Sequence, residues 1–187
     1  ALAHEDAAGH HRRALAALGD DPGFASERIE LQLELAGALW RSGLLEEAEN
    51  EAEGAWLLAE SSGDPALLAR AAMRIGLDYH FVPGPPSPWP DRVRRALAAQ
   101  PSGDSPGAVR LLATTATDCV SAGDLAQARA VAADAVAMAR RLDDPAALGS
   151  ALLAELVADL GPATLNRRIA GAHEILACAA ESGDYRL

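Results

Sequence analysis

Apolar positions recur at i, i+3, i+4 and i+7 through most of this chain, as in Ile29, Leu33, Ala36, Leu39 and Trp40. That is the period of a helix with one face turned to a core. The pattern predicts helices over 5–18, 25–42, 45–61, 65–79, 91–100, 107–121, 124–142, 145–160 and 165–181, separated by Gly, Pro, Asp and Ser. Segments of about 16 residues joined by short turns make antiparallel hairpins roughly 24 Å long. One such hairpin cannot cover its own apolar face, whereas stacked hairpins can. The expected fold is therefore all-α, an antiparallel helix-hairpin α-solenoid.

The punctuation repeats as well. Asp64, Asp104, Asp144 and Asp184 are evenly spaced and mark a period of about 40 residues, within the range that helical repeats use. Each stands beside Gly or a second Asp, and two are followed directly by Pro. Gly is a helix stop, Asp or Ser an N-cap, and Pro a favoured first helical residue. Positions 59, 99, 139 and 179 are all Ala, and positions 56, 96, 136 and 176 read Trp, Ala, Val and Leu. The register divides the chain into a trailing helix at 1–22 and repeats at 23–64, 65–104, 105–144 and 145–184, one helical-repeat domain over 1–187. Helix 5–18 lacks a partner and Tyr185-Arg186-Leu187 stands where another helix would start, so a piece of a longer array is expected.

Small residues keep the same register. Gly43, Leu45, Ala48, Ala52 and Ala55 match Gly123, Leu125, Ala128, Ala132 and Ala135 two periods later, and Asp124-x-x-Gln127 has the form of a capping box. With Ala36 and Ala116 as the small residues of the first helices, this resembles a degenerate tetratricopeptide repeat. The period exceeds the roughly 34 residues of that family, Cys119 replaces a large side chain, and the repeat-terminal Pro is missing.

Runs such as Leu35–Gly43, Ala59–Ala71 and Ala139–Leu148 resemble the helical arm of large signal-transduction ATPase regulators from high-GC bacteria. In those proteins the arm lies between a nucleotide-binding module and, often, a LuxR-type helix-turn-helix. The resemblance implies a sensing or scaffold segment of a transcription regulator, with neither of those modules inside these residues.

Composition narrows the chemistry. The chain is 50% hydrophobic but only 4% aromatic, dominated by Ala and Leu, which favours helix over strand. All 16 basic residues are Arg, so a P-loop or Schiff-base lysine is excluded. A net charge of −11 argues against direct nucleic-acid contact, because neutralising phosphates takes a basic stripe. Cys119 and Cys178 lie in apolar helical surroundings without CxxC spacing and read as buried free thiols in a reducing compartment. With no membrane span or signal peptide in the pattern, the expected location is the cytoplasm.

Candidate catalytic chemistry is thin. His4 and His11 share a helix face without the three or four converging ligands that a metal needs. His80 and His173 have no nucleophile partner in sequence. The pairs Asp20-Asp21 and Asp143-Asp144 lack the third Asp of a metal-binding Asp-Asp-x-x-Asp, and Glu46, Glu47, Glu49, Glu51 and Glu53 form an acidic, solvated face. No catalytic residue, metal or cofactor is therefore expected, and the chain reads as non-enzymatic.

Two binding features remain. The Pro-rich stretch 82–90 is a stiff elbow or a lid, with Trp89 as its candidate anchor. In tetratricopeptide arrays the first helices line the concave groove. Carrying those positions through the register selects Trp40, Arg41, Arg70, Met73, Arg74, Leu77, His80, Arg110 and Thr117, with Glu30, Leu33 and Gly37 beside them. Arg70, Arg74 and Arg110 suit a carboxylate or an acidic peptide; the competing reading makes Trp40 and Met73 core and pairs the arginines with nearby acids. The expected role is a partner- or effector-binding arm of a cytoplasmic regulator. The alternatives are a stand-alone adaptor for a peptide or partner helix and, less favoured, an all-α small-molecule enzyme.

Overall fold

Proline and aspartate decide where the helices begin. In the computed structural model, which describes residues 2–19, 21–79 and 89–183 (of 2, 3, 74–79 and 162 only the backbone), three helices start with Pro at their first position. Asp64 accepts a hydrogen bond from the Ala66 N–H at 2.8 Å, Ser105 from Ala108 at 3.1 Å, and Asp144 from Ala147 at 3.0 Å. Each cap satisfies an N–H that lacks a partner within its own helix.

The described residues form nine α-helices: α1 (Leu2–Leu18), α2 (Ala25–Arg41), α3 (Leu45–Ser62), α4 (Pro65–Tyr79), α5 (Trp89–Ala98), α6 (Pro106–Ser121), α7 (Leu125–Leu142), α8 (Pro145–Ala158) and α9 (Leu165–Ser182). Single 3₁₀ turns at Pro22–Phe24 and Pro162–Thr164 lead into α2 and α9. The fold is all-α, with consecutive helices packed as antiparallel hairpins.

Contacts divide the chain into two units, Ala1–Tyr79 and His80–Leu187. In the first, α2 packs on α1, α3 and α4, and α3 also touches α4. In the second, α5 packs on α6, α6 on α7 and α8, α7 on α8, and α8 on α9.

One turn is built twice. Between α2 and α3 the Ser42 N–H donates to the Ala38 carbonyl, Gly43 to Trp40, Leu44 to Leu39, and Ala48 to Leu44. Between α6 and α7 the same bonds run from Ala122 to Asp118, Gly123 to Val120, Asp124 to Cys119, and Ala128 to Asp124. Both turns need a left-handed residue, supplied by Gly43 at φ 79° and Gly123 at φ 82°. Asp124 caps α7 through the Gln127 N–H at 3.0 Å. Its own N–H is already bound to Cys119, so only one arm of the expected capping box is used.

Alanine lets the helices approach. Ala48, Ala52, Ala55 and Ala59 on α3, and Ala128, Ala132, Ala135 and Ala139 on α7, are all buried. Ala113 and Ala116 of α6, Ala128, Val131 and Ala132 of α7, and Ala154 and Ala158 of α8 form one cluster. Trp56 fills the first unit's interior at 1% exposure.

Asp143 is the one described non-glycine residue with positive φ, at 53°. Gly63, Gly103 and Gly183, at 40-residue intervals from it, all have positive φ. A left-handed conformation costs an L-residue roughly 1 kcal/mol, and Asp tolerates it better than most. Asp143→Gly should therefore stabilise the protein by about 0.5 kcal/mol, and Asp143→Val should destabilise it by more than that. Thermal melts of the two variants check both signs.

Candidate functional site

The residues selected for the candidate face lie on the first helices of each unit. On the first unit, Arg70 of α4 reaches Glu30 of α2, with Nε 2.5 Å from Oε1. These residues are 40 positions apart, and their contact marks where α2 and α4 lie side by side. The charges touch without hydrogen-bond alignment, and both side chains keep some solvent exposure. Arg41 lies back along α2, where a Cβ on Gly37 would stand 3.2 Å from its Nη1. Gly37 thus leaves room for the Arg41 guanidinium.

Trp40 is half-buried against Ala8, Leu35, Ala38, Leu39 and Ala48, so its ring belongs partly to the packing of α1, α2 and α3. Leu33 is core and Met73 half-buried. Of the remaining predicted residues, His80 lies outside the described residues, as do the side chains of Arg74 and Leu77.

On the second unit Arg110 is half-buried on α6. Thr117 turns its hydroxyl to the Ala113 carbonyl at 3.1 Å, as Thr114 and Thr115 do to Arg110 and Leu111. Such back-bonding satisfies a hydroxyl within its own helix. Among the described residues neither Arg41 nor Arg110 makes an ion pair, whereas Arg70 does.

Trp89 differs from its expected setting. It opens α5 rather than closing a loop, because Pro90 at the second helical position needs no N–H partner. Its ring is 7% exposed, with the Arg92 guanidinium 4.4 Å from the ring centroid. Trp89, Val93 and Ala96 are the buried stripe of α5, so this tryptophan is buried instead of standing out as an anchor. Residues 82–88 of the Pro-rich segment lie outside the described residues.

Sequence reasoning missed the ties between charged residues. Asp159 ends α8 with its side chain only 8% exposed, touching Arg167 of α9 and lying 3.6 Å from Arg129 of α7. Its carbonyl accepts from the Thr164 hydroxyl at 2.6 Å. The glycine of this turn, Gly161, does not take the positive φ of Gly43 and Gly123, and Asp159 ties three helices together there.

Arg141 grips Asp104 with a two-pronged bond, Nε to Oδ2 at 2.6 Å and Nη2 to Oδ1 at 3.0 Å. Asp104 is free for this because Ser105 caps α6. Arg12–Glu47 ties α1 to α3 and Arg140–Glu174 ties α7 to α9, each through one guanidinium nitrogen. With Glu30–Arg70, these three pairs link residues 34 to 40 positions apart, whereas Asp159–Arg167 and Asp91–Arg94 are local in sequence. Opposite charges 34 to 40 positions apart are therefore the signal that finds most of them.

The Arg141 hydrogen bonds hold the Asp104 carboxyl below the usual aspartate range. A carboxylate with a lowered folded pKa stabilises fully above its unfolded pKa of about 3.9, and loses that contribution as pH falls through the folded value. Urea midpoints of the wild type and Asp104→Asn should differ at pH 6 and converge toward about pH 2.5. A difference that persists unchanged at low pH would remove the carboxylate from the account.

Burial pushes the Glu51 carboxyl up, opposed by the Arg12 charge and a hydrogen bond from Gln32, so this member of the acidic face is half-buried rather than fully solvated. Cys119 and Cys178 are free, and burial together with nearby acids pushes both thiols up. Both are thereby poor nucleophiles. His10 contacts Arg13 at 2.8 Å, and His173 is exposed on α9. Among the described residues no three His, Cys, Asp or Glu converge as metal ligands, and no helix is long and apolar enough to cross a membrane. No protein-family model and no curated protein matches the chain.

Proposed function

We propose that this chain is a tetratricopeptide-like stack with a period of about 40 residues, and that it serves as the non-enzymatic, ligand-binding arm of a larger cytoplasmic regulator. Supporting the period, the first helices of successive hairpins begin at Ala25, Pro65, Pro106 and Pro145. The twice-built turn, recurring two periods on, supports it too. The resemblance of the sequence to helical arms of ATPase regulators supplies the regulator setting. The ligand class is an acidic peptide or a carboxylate-bearing effector, met by Arg41 and Arg70 on the first unit and by Arg110 on the second. Occupancy of these faces would change how hairpins stack and so bias a neighbouring module.

The contact between Glu30 and Arg70 carries this reading, because it sets successive first helices side by side with their register positions aligned. It also supplies a test. Glu30 competes with any incoming carboxylate for Arg70, so Glu30→Gln should tighten binding of a fluorescein-labelled Glu-rich peptide about tenfold, a gain of roughly 1.4 kcal/mol. Arg70→Ala should weaken it by a similar factor, and a Gln-for-Glu peptide should not bind. Equal affinities for wild type and both variants would take this face out of the account.

A further inference from the structure

One acid of α3 stands apart from its neighbours. Glu46, Glu47 and Glu49 are exposed, whereas Glu51 is half-buried where Gln32 of α2 reaches it. The Gln32 amide N–H donates to the Glu51 carboxyl. Arg12 of α1 attracts the ionised carboxyl, and Glu47, one turn earlier on α3, repels it. Arg12 and Glu47 are themselves paired. Among the described residues no titratable group of α4, the other helix packed on α3, acts on Glu51.

The other end of the same amide is left over. Gln32 Oε1 is buried and accepts no hydrogen bond. A buried acceptor without a donor costs free energy, and an ionised carboxyl offers only more acceptors. A protonated carboxyl carries one O–H and one C=O, the complement of the amide's C=O and N–H. The two groups can then pair at two points, which satisfies the orphaned oxygen.

Gly54 makes room for this. A Cβ there would stand 3.0 Å from Gln32 Nε2 and 3.8 Å from its Cδ, so the amide occupies space that any other residue would claim. Glycine inside a helix is unfavourable relative to alanine. At this position it lets the α2 amide reach the carboxyl three residues earlier on α3.

We propose that Glu51 and Gln32 form a proton-operated latch between α2 and α3. The Glu51 carboxyl takes one proton from water, donates it in a hydrogen bond to Gln32 Oε1, and so ties the two helices at two points instead of one. The latch is independent of any ligand on the first helices. Burial pushes the Glu51 carboxyl up by more than Arg12 and the donated bond pull it down. It therefore gains its proton at a higher pH than an ordinary glutamate, whose pKa is about 4.3. A carboxyl with a raised folded pKa binds more protons folded than unfolded, so its contribution to stability grows as pH falls through the folded value.

Carbon-13 titration of the whole chain tests the latch, following the side-chain carboxyl of Glu51 and the side-chain carbonyl of Gln32. Both signals should move with one common midpoint above about 4.3, and Glu51→Gln should abolish the transition at Gln32. That variant keeps a donor for Gln32 Oε1 at every pH. Near pH 7 its urea midpoint should exceed that of the wild type, the two converging toward about pH 4. Glu49→Gln removes an exposed charge from the same helix and should raise the midpoint far less. A Glu51 midpoint at or below about 4.3, or a Gln32 carbonyl that does not follow it, would overturn the proposal. So would a Glu51→Gln urea midpoint no higher than that of Glu49→Gln near pH 7.

Discussion

Trp56→Ala should lower stability by about 3–5 kcal/mol, the largest effect expected of any truncation in the first unit. Trp56 is the largest fully buried side chain and sits on α3 among Ala52, Ala55 and Ala59. Those small neighbours have no side-chain length with which to fill the space it leaves. The cavity therefore persists, and its cost adds to the lost transfer of the indole from water. With urea slopes of about 1.5–2 kcal/mol per molar, the midpoint followed at 222 nm should fall by about 2 M. A loss under about 1 kcal/mol would mean that the indole is not enclosed.

Ala132→Leu tests the opposite limit. Ala132 is fully buried where α6, α7 and α8 meet, in a cluster built mostly of alanine. Three added carbons have no void to enter, so the helices must separate, at a cost of about 2–3 kcal/mol. Ala133→Leu, at the next position and on the exposed face, should change stability by less than about 0.5 kcal/mol. The contrast between adjacent residues on one helix isolates close packing from helix propensity. If both variants unfold at the same denaturant concentration, the backbones do not approach as closely as alanine permits.

Much of the architecture was legible because its signals are local. Pro65, Pro106 and Pro145 mark helix starts, and Gly43, Gly63, Gly123 and Gly183 mark stops that the left-handed conformation demands. The buried alanines of α3 and α7 followed from their spacing alone. Helix α5 starts ahead of the expected residue 91, because Trp89-Pro90 reads as the end of a Pro-rich loop although Pro is well tolerated in the first turn of a helix.

The candidate face was legible only in part. Register placed Glu30 and Arg70 in one column but could not say that they would meet, since that depends on side-chain reach across two helices. Trp40 and Trp89 both looked available for binding, and burial decided otherwise for Trp89, while packing against residues of α1 and α3 partly did so for Trp40. Asp159 had no sequence signal at all. Its role arises in the turn between α8 and α9, where its carboxylate meets arginines of α7 and α9.

The central claim is that the first helices of the hairpins, within each unit by itself, carry a binding face for carboxylates. Amide chemical-shift mapping of the whole chain with the Glu-rich peptide tests it most directly. The account predicts saturable shifts on α2 and α4 near Glu30, Arg41 and Arg70, and on α6 near Arg110, reversed by salt as charged contacts require. Shifts confined to α3, α7 and α9, or no shifts at all, would contradict it.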